Sequence, residues 1–195
     1  LTGKIVAEPQ HKIVSSESEE LILVDKDDQP LGTLSKALCH DGDGVLHRAF
    51  SAFLFNAAGE LLLQQRASSK RLWPGFWSNS CCSHPREAET IEEAGHRRIH
   101  EELNLSCELH FLYKFQYQAA YEDLGSEHEL CYVYYGKTNG TVIPHPEEIA
   151  EWRFISPDDL SREIDANPQA FMLNFDFAEI GFAQDRGQFS DQACI

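Results

Sequence analysis

Apolar and polar residues alternate over 20–24 and give way to Asp27-Asp28-Gln29-Pro30, which predicts a strand, a tight turn and a returning strand. Two denser apolar runs, 49–55 and 60–65, flank Asn56-Ala57-Ala58-Gly59, whose glycine suits a short hairpin connection. The next stretch breaks at Pro74-Gly75. Residues 87–105 are helix formers without proline, and Ala94, Arg98, Glu101 and Glu102 recur at spacings that share one helical face, predicting the longest helix there. A further strand pair, 111–119 and 130–135, brackets a polar turn at 122–126. Residues 152–155 read as another strand, and Ser156-Pro157 opens a helix with a capping serine and a proline in the first turn. Antiparallel hairpins mixed with helices, and no internal repeat, predict an α/β (α+β) layered sandwich.

A chain of 195 residues supports one sizeable core. The reading is a polar lead-in over 1–18, one domain over 19–171 and a tail over 172–195. A formal charge of -16 speaks against nucleic acid and against an anionic membrane as partners, and no apolar run approaches the ~18 residues of a membrane span. Six cysteines at irregular spacing, with no secretion signal, predict reduced thiols in a cytoplasmic protein; a monomer is expected. The scarce basic residues cluster as Arg66, Lys70, Arg71 and as Arg97, Arg98. In so acidic a chain such clusters suit an anion of phosphate size, although Arg71 and Arg97 are read as local ion-pair partners.

The chemistry concentrates in Asn79-Ser80-Cys81-Cys82-Ser83-His84-Pro85, where a thiol and an imidazole lie two residues apart between a strand and a charged helix. Glu127 and Glu129 flank His128 and, two apart on a strand, point to the same side. Paired carboxylates repel unless a cation or a proton separates them. With His40, His47 and His84 they make up a five- or six-coordinate divalent-metal set, too rich in oxygen for a structural four-coordinate zinc.

Leu46-His47-Arg48-Ala49-Phe50-Ser51, Leu61-Leu62-Leu63-Gln64-Gln65-Arg66, Trp73-Pro74-Gly75, the 79–85 segment and Gly125-Ser126-Glu127-His128-Glu129 occur together within 20–170. In these segments the chain resembles type I isopentenyl-diphosphate isomerase, a metal-dependent relative of the Nudix hydrolases. The resemblance implies a Nudix-like α/β/α sandwich with a mixed sheet. It also implies interconversion of isopentenyl and dimethylallyl diphosphate. Carried over by position, the metal ligands are His40, His47, His84, Glu127 and Glu129, holding Mn²⁺, Zn²⁺ or Mg²⁺. A second ion, Mg²⁺ bound with the diphosphate, falls to Glu102 and the Cys82 carbonyl. The working thiol is Cys82 rather than Cys81; Glu129 is the acid–base partner on the other side, with Tyr117 beside it. Lys36, Arg66, Lys70 and Arg98 face the diphosphate.

Set beside the hydrolase box, the 83–105 segment keeps the register and changes the chemistry. Both glycines are replaced, by Ser83 and Asn104, and one glutamate position is Arg98, which suits direct diphosphate binding better than activation of water. Hydrolysis is therefore the disfavoured alternative. The tryptophan whose ring shields the cation in the family falls on Asn174, with Trp77 and Phe50 as the candidate substitutes. That departure motivates a further alternative, a protein that binds metal and diphosphate without turnover.

Overall fold

The computed structural model describes residues 14–172; Asn174 and Cys194 lie outside the described residues. Strand β1 (Glu20–Val24) and β2 (Pro30–Ser35) form the expected hairpin, with Asp28 in the left-handed region at φ 66°. The single-turn α1 (Lys36–Cys39) follows, then β3 (His47–Phe55) and β4 (Leu61–Arg66) around the predicted glycine turn. Two short strands, β5 (Trp77–Ser78) and β6 (Cys81–Ser83), lead into α2 (Ile91–Leu103). The chain continues through β7 (Leu109–Tyr121), β8 (Gly125–Lys137), β9 (Ile149–Ile155) and α3 (Pro157–Ala166).

The predicted helix over 87–105 is shorter, because Thr90 and Glu93 form a reciprocal capping box that satisfies the first free amides and begins the helix at Ile91. It stops at Leu103, where Asn104 adopts a left-handed conformation at φ 55°. The 111–119 and 130–135 strands extend in both directions, since β7 and β8 pair continuously from Leu109↔Gly136 to Tyr121↔Gly125 with one bulge near Leu112. Helix α3 starts as predicted, with Ser156 accepting from the Asp159 amide and Pro157 in the first turn.

The sheet is mixed. β3 runs parallel to β8 over nine paired residues, and the other pairings are antiparallel. Alternate residues of β3 serve opposite layers. Phe50, Ala52 and Leu54 pack with Ala94, Ile99 and Leu103 of α2, whereas Phe53 and Phe55 pack with Val133, Ile155 and Leu160 of α3. Helix, sheet and helix form the layered sandwich, with the core divided between its two faces. No helix among the described residues is long and apolar enough to cross a membrane.

Candidate active site

Strand register assembles the site. His47 on β3 is paired with Glu129 on β8, which is paired in turn with Tyr117 on β7; Ser51, four residues along β3, is paired with Cys82 on β6. Because side chains alternate along a strand, these residues and Glu127 fall on one face of the sheet, while Cys81 enters the α2-side core. Cys82, His40, His84, Tyr117, Glu127 and Glu129 line a cavity of about 440 Å³ together with Lys36, Arg66, Lys70, Arg98 and Glu102. Every predicted site residue except His47 lines that cavity, and His47 is fully buried behind it.

Three imidazoles from three segments converge, with ring centroids 4.9–5.5 Å apart. His40 at the end of α1 and His47 at the start of β3 each place Nδ1 2.7 Å from a backbone carbonyl, of Lys36 and Val45 respectively. A carbonyl only accepts, so each Nδ1 carries the proton and each Nε2 presents a lone pair. His84 Nε2 lies 3.2 Å and His47 Nε2 3.8 Å from Glu129 Oε1. The ligating atoms of His40, His47, His84 and Glu129 all lie within 4.8 Å of one another. Among the described residues the buried His47 Nε2 has no hydrogen-bond partner, which a metal ion would supply. Burial holds His47 and His84 well below the usual imidazole range, helped by the neighbouring imidazoles, so both stay neutral, as ligation requires. Glu127, the fifth predicted ligand, stands outside this quartet but shares the Tyr117 hydroxyl with Glu129.

Tyr117 Oη lies 2.7 Å from both Glu127 Oε2 and Glu129 Oε2. A phenol has one proton to donate, so the two carboxyls either share it in a three-centre bond or one of them carries a proton directed back at the phenol oxygen. Burial raises both carboxyls above their ordinary value, and Glu129 raises Glu127 further. A tyrosine bridging two carboxyls that burial raises can relay a proton between them.

Cys82 is oriented from two sides. Its Sγ donates to Asn79 Oδ1 at 2.7 Å and lies 3.2 Å from Ser51 Oγ. The orientation of the Asn79 amide is set by its own donors, which reach the carbonyls of Ala52 and Cys81 at 2.9 and 3.2 Å. Burial pushes the Cys82 thiol up to about 12, which keeps it protonated. Ser51 also lies 3.3 Å from Cys131 Sγ. Cys39, Cys81, Cys82, Cys107 and Cys131 are all free thiols.

The predicted diphosphate cations come from four elements. Lys36 begins α1 and donates to Ser15 Oγ at 2.6 Å; burial, then the nearby Lys70, lowers it to about 8. Arg66 ends β4 and donates from Nε and Nη2 to the Leu72 carbonyl, folding back the loop that carries Lys70. Arg98, 2% exposed on α2, is 2.7 Å from Glu102 Oε1 and also donates to the Val14 carbonyl. Arg71 and Arg97 form the expected local ion pairs, Arg71 with Asp41 and Arg97 with Glu89 and Glu101, although Arg71 also lines the cavity.

Two expectations about the cation shield are corrected. Phe50 is fully buried in the α2-side core, and the ring of Trp77 carries the Arg153 guanidinium 4.5 Å from its centroid; neither lines the cavity. Strand alternation turns Phe50 away from the face that bears Ser51. Among the described residues, the aromatic ring on the cavity wall, imidazoles apart, is Tyr117, and the apolar wall comprises Leu72 and Met172. Sequence reasoning assigned no role to Asn79, Ser51 or Glu148. Ser51 had a weak signal, as a polar residue within an apolar strand run, and Asn79 had only its nearness to the Cys82–His84 segment, whereas Glu148 is one more acid in an acidic chain. Gln64 also went unassigned; it lines the cavity with Oε1 buried and, among the described residues, unpartnered.

Fold and site together define a NUDIX domain, and the NUDIX domain model matches residues 45–175. The isopentenyl-diphosphate Delta-isomerase of Burkholderia multivorans is 45% identical over 157 residues, covering 80% of this chain and 89% of that protein. The isopentenyl-diphosphate Delta-isomerase 1 of Photorhabdus laumondii is 45% identical over 153 residues, covering 77% and 87%. The crystal structure of DR0079 from Deinococcus radiodurans matches with a TM-score of 0.66 at 26% identity, over 84% of this chain and 98% of that one. The MutT protein of Methanosarcina mazei, at 18% identity and a TM-score of 0.59 over 72% and 96%, shares the fold alone. This chain belongs to the isopentenyl-diphosphate Delta-isomerase family of NUDIX-domain proteins.

Proposed function

We propose that this protein interconverts isopentenyl diphosphate and dimethylallyl diphosphate, and that Cys82 and the Glu129–Tyr117 pair perform the two proton transfers. One observation carries the reading. A protonated thiol and a carboxyl–phenol unit line the same cavity as four cations suited to a diphosphate.

Shifting an unactivated double bond by one position requires a proton delivered to the terminal alkene carbon and another removed from the carbon two positions away, with the tertiary carbocation on the carbon between them. Cys82 is held as a thiol by burial, with its S–H directed to Asn79. Glu129 exchanges its proton through Tyr117. The two groups serve as donor and acceptor and exchange roles with the direction of reaction. Lys36, Arg66, Lys70 and Arg98 bind the diphosphate, whose binding energy fixes the five-carbon tail against these groups. Leu72, Met172 and Tyr117 supply the apolar part of the wall against which the five-carbon tail would lie.

His40, His47, His84 and Glu129, joined by Glu127, would hold a divalent ion, with Mn²⁺, Zn²⁺ and Mg²⁺ compatible with the donor set. Such an ion would increase the acidity of the carboxyl–phenol unit. Glu102 and the Cys82 carbonyl would hold Mg²⁺ arriving with the diphosphate. The free thiols fit a reducing, cytoplasmic setting, and we read the enzyme as a monomer.

Proton NMR of isopentenyl diphosphate in D₂O, with the protein and Mg²⁺ plus Mn²⁺, tests the reading. Dimethylallyl methyl signals with deuterium incorporation are expected. Release of inorganic phosphate instead would establish hydrolysis, a chemistry disfavoured by Arg98 standing at a glutamate position of the hydrolase helix.

A further inference from the structure

The cavity that gathers the four cations also holds Glu148, a carboxylate with no part in the proton transfers above. It is 6% exposed. Its Oε2 accepts from Lys70 Nζ and lies 3.4 Å from Arg98 Nη2, the same nitrogen that donates to Glu102. Lys70 belongs to the loop after β4 and Arg98 to α2, so one carboxylate spans cations from two separately positioned elements. The backbone around Glu148 joins the same two elements. The Ala67 amide donates to the Glu148 carbonyl at 2.9 Å, while the amides of Ile143 and His145 donate to the carbonyls of Leu103 and Glu102 at 3.0 and 2.8 Å.

A buried carboxylate inside an anion site repels the incoming anion. Two buried cations without it repel each other and leave a flexible lysine free to turn to solvent. We propose that Glu148 is a positioning residue of the diphosphate pocket, holding the Lys70 ammonium and the Arg98 guanidinium at the separation that a diphosphate bridges. The proposal rests on the diphosphate-binding reading of this cavity and goes beyond it in naming the group that sets the cation geometry.

The test uses the full chain and its Glu148→Gln and Glu148→Asp variants. It compares the Kd of inorganic pyrophosphate with Mg²⁺ by calorimetry, KM and kcat for isopentenyl diphosphate, and thermal unfolding. Glu148→Gln is expected to raise both Kd and KM about tenfold, the scale of one lost charge-assisted contact, with kcat within about twofold of the parent. Glu148→Asp keeps the charge on a shorter arm and is expected to give an intermediate Kd, which remains readable if the glutamine variant unfolds. In a Lys70→Met background, Glu148→Gln is expected to add little further loss. Pyrophosphate binding that is unchanged or tighter in the Gln or Asp variant overturns the proposal, as does a fall in kcat at unchanged KM. Pyrophosphate binding needs no turnover, so a parent protein that binds it yet forms no dimethylallyl product refutes the isomerase reading and leaves the Glu148 result standing.

Discussion

His47 on β3 and Glu129 on β8 are cross-strand partners in the parallel register, and His47 Nε2 lies 3.8 Å from Glu129 Oε1 with no hydrogen-bond partner among the described residues. A lone pair aimed at a carboxylate inside a buried cluster is unfavourable until a cation lies between them.

Metal should therefore stabilise the fold, and more so at neutral than at acid pH. His47 and His84 are depressed below 6.5, so the folded metal-free protein stays unprotonated where the unfolded chain takes up protons, and stability is lost as pH falls below 6.5. Glu127 and Glu129 are raised above 4.5, so their burial costs stability as pH rises above 4.5. Bound metal offsets the carboxylate cost at neutral pH and is displaced by protons in acid. Calorimetric scans with and without Mn²⁺ at pH 7.5 and 5.0 should show a larger gain in Tm at the higher pH; equal gains would refute the His/Glu assignment.

Replacing Cys82 by alanine should lower kcat by about 10²–10⁴, the range of a lost general acid or base, while pyrophosphate binding stays near that of the parent. A variant that retains kcat would exclude the thiol from proton transfer.

Tyr117→Phe removes the hydroxyl shared by Glu127 and Glu129 and leaves the ring stacked on Phe115. The two carboxyls then face each other without the phenol. A loss in kcat of about 10²-fold is expected, with a displaced pH–rate profile and little change in Tm; an unaltered profile would show that the phenol has no part in the exchange.

Gly125 has φ 148°, and a Cβ there would meet the His40 carbonyl oxygen at 2.2 Å. Gly125→Ala must push β8 away from His40, whose carbonyl accepts from the Ser126 amide. Weaker metal binding by about tenfold is expected, of the size seen when a ligand's supporting contact is lost. Titration with Mn²⁺ checks this, and parent-like affinity would contradict it.

Asp28 offers a contrast away from the site. It accepts from Arg48, Lys114 and Tyr132, tying the β1–β2 turn to the sheet. Asp28→Asn keeps a residue tolerant of the left-handed turn and removes the charge. Stability should fall by about 2 kcal/mol with kcat unchanged, as measured by urea unfolding alongside the isomerase assay.

Local pattern was enough to place the β1–β2 hairpin, the glycine turn before β4 and the start of α3 at Ser156, because each depends on residues that are neighbours in sequence. It also singled out the pairing of Glu127 with Glu129 and the thiol–imidazole spacing of Cys82 and His84, four residues that the fold brings to one cavity. The start of α2 was misplaced because the Thr90–Glu93 capping box outweighs the helix propensity of residues 87–89. What tertiary structure alone decided is how distant segments meet. Parallel pairing of β3 with β8 joins His47 to Glu129, residues 82 positions apart, and strand alternation sends Phe50 into the core while Ser51 reaches Cys82. The role of Glu148 emerges at the same level, since one carboxylate in an acidic chain gains meaning only when folding places it between Lys70 and Arg98. Periodicity and spacing record local geometry, whereas contacts between remote residues depend on sheet register and side-chain burial across the whole domain.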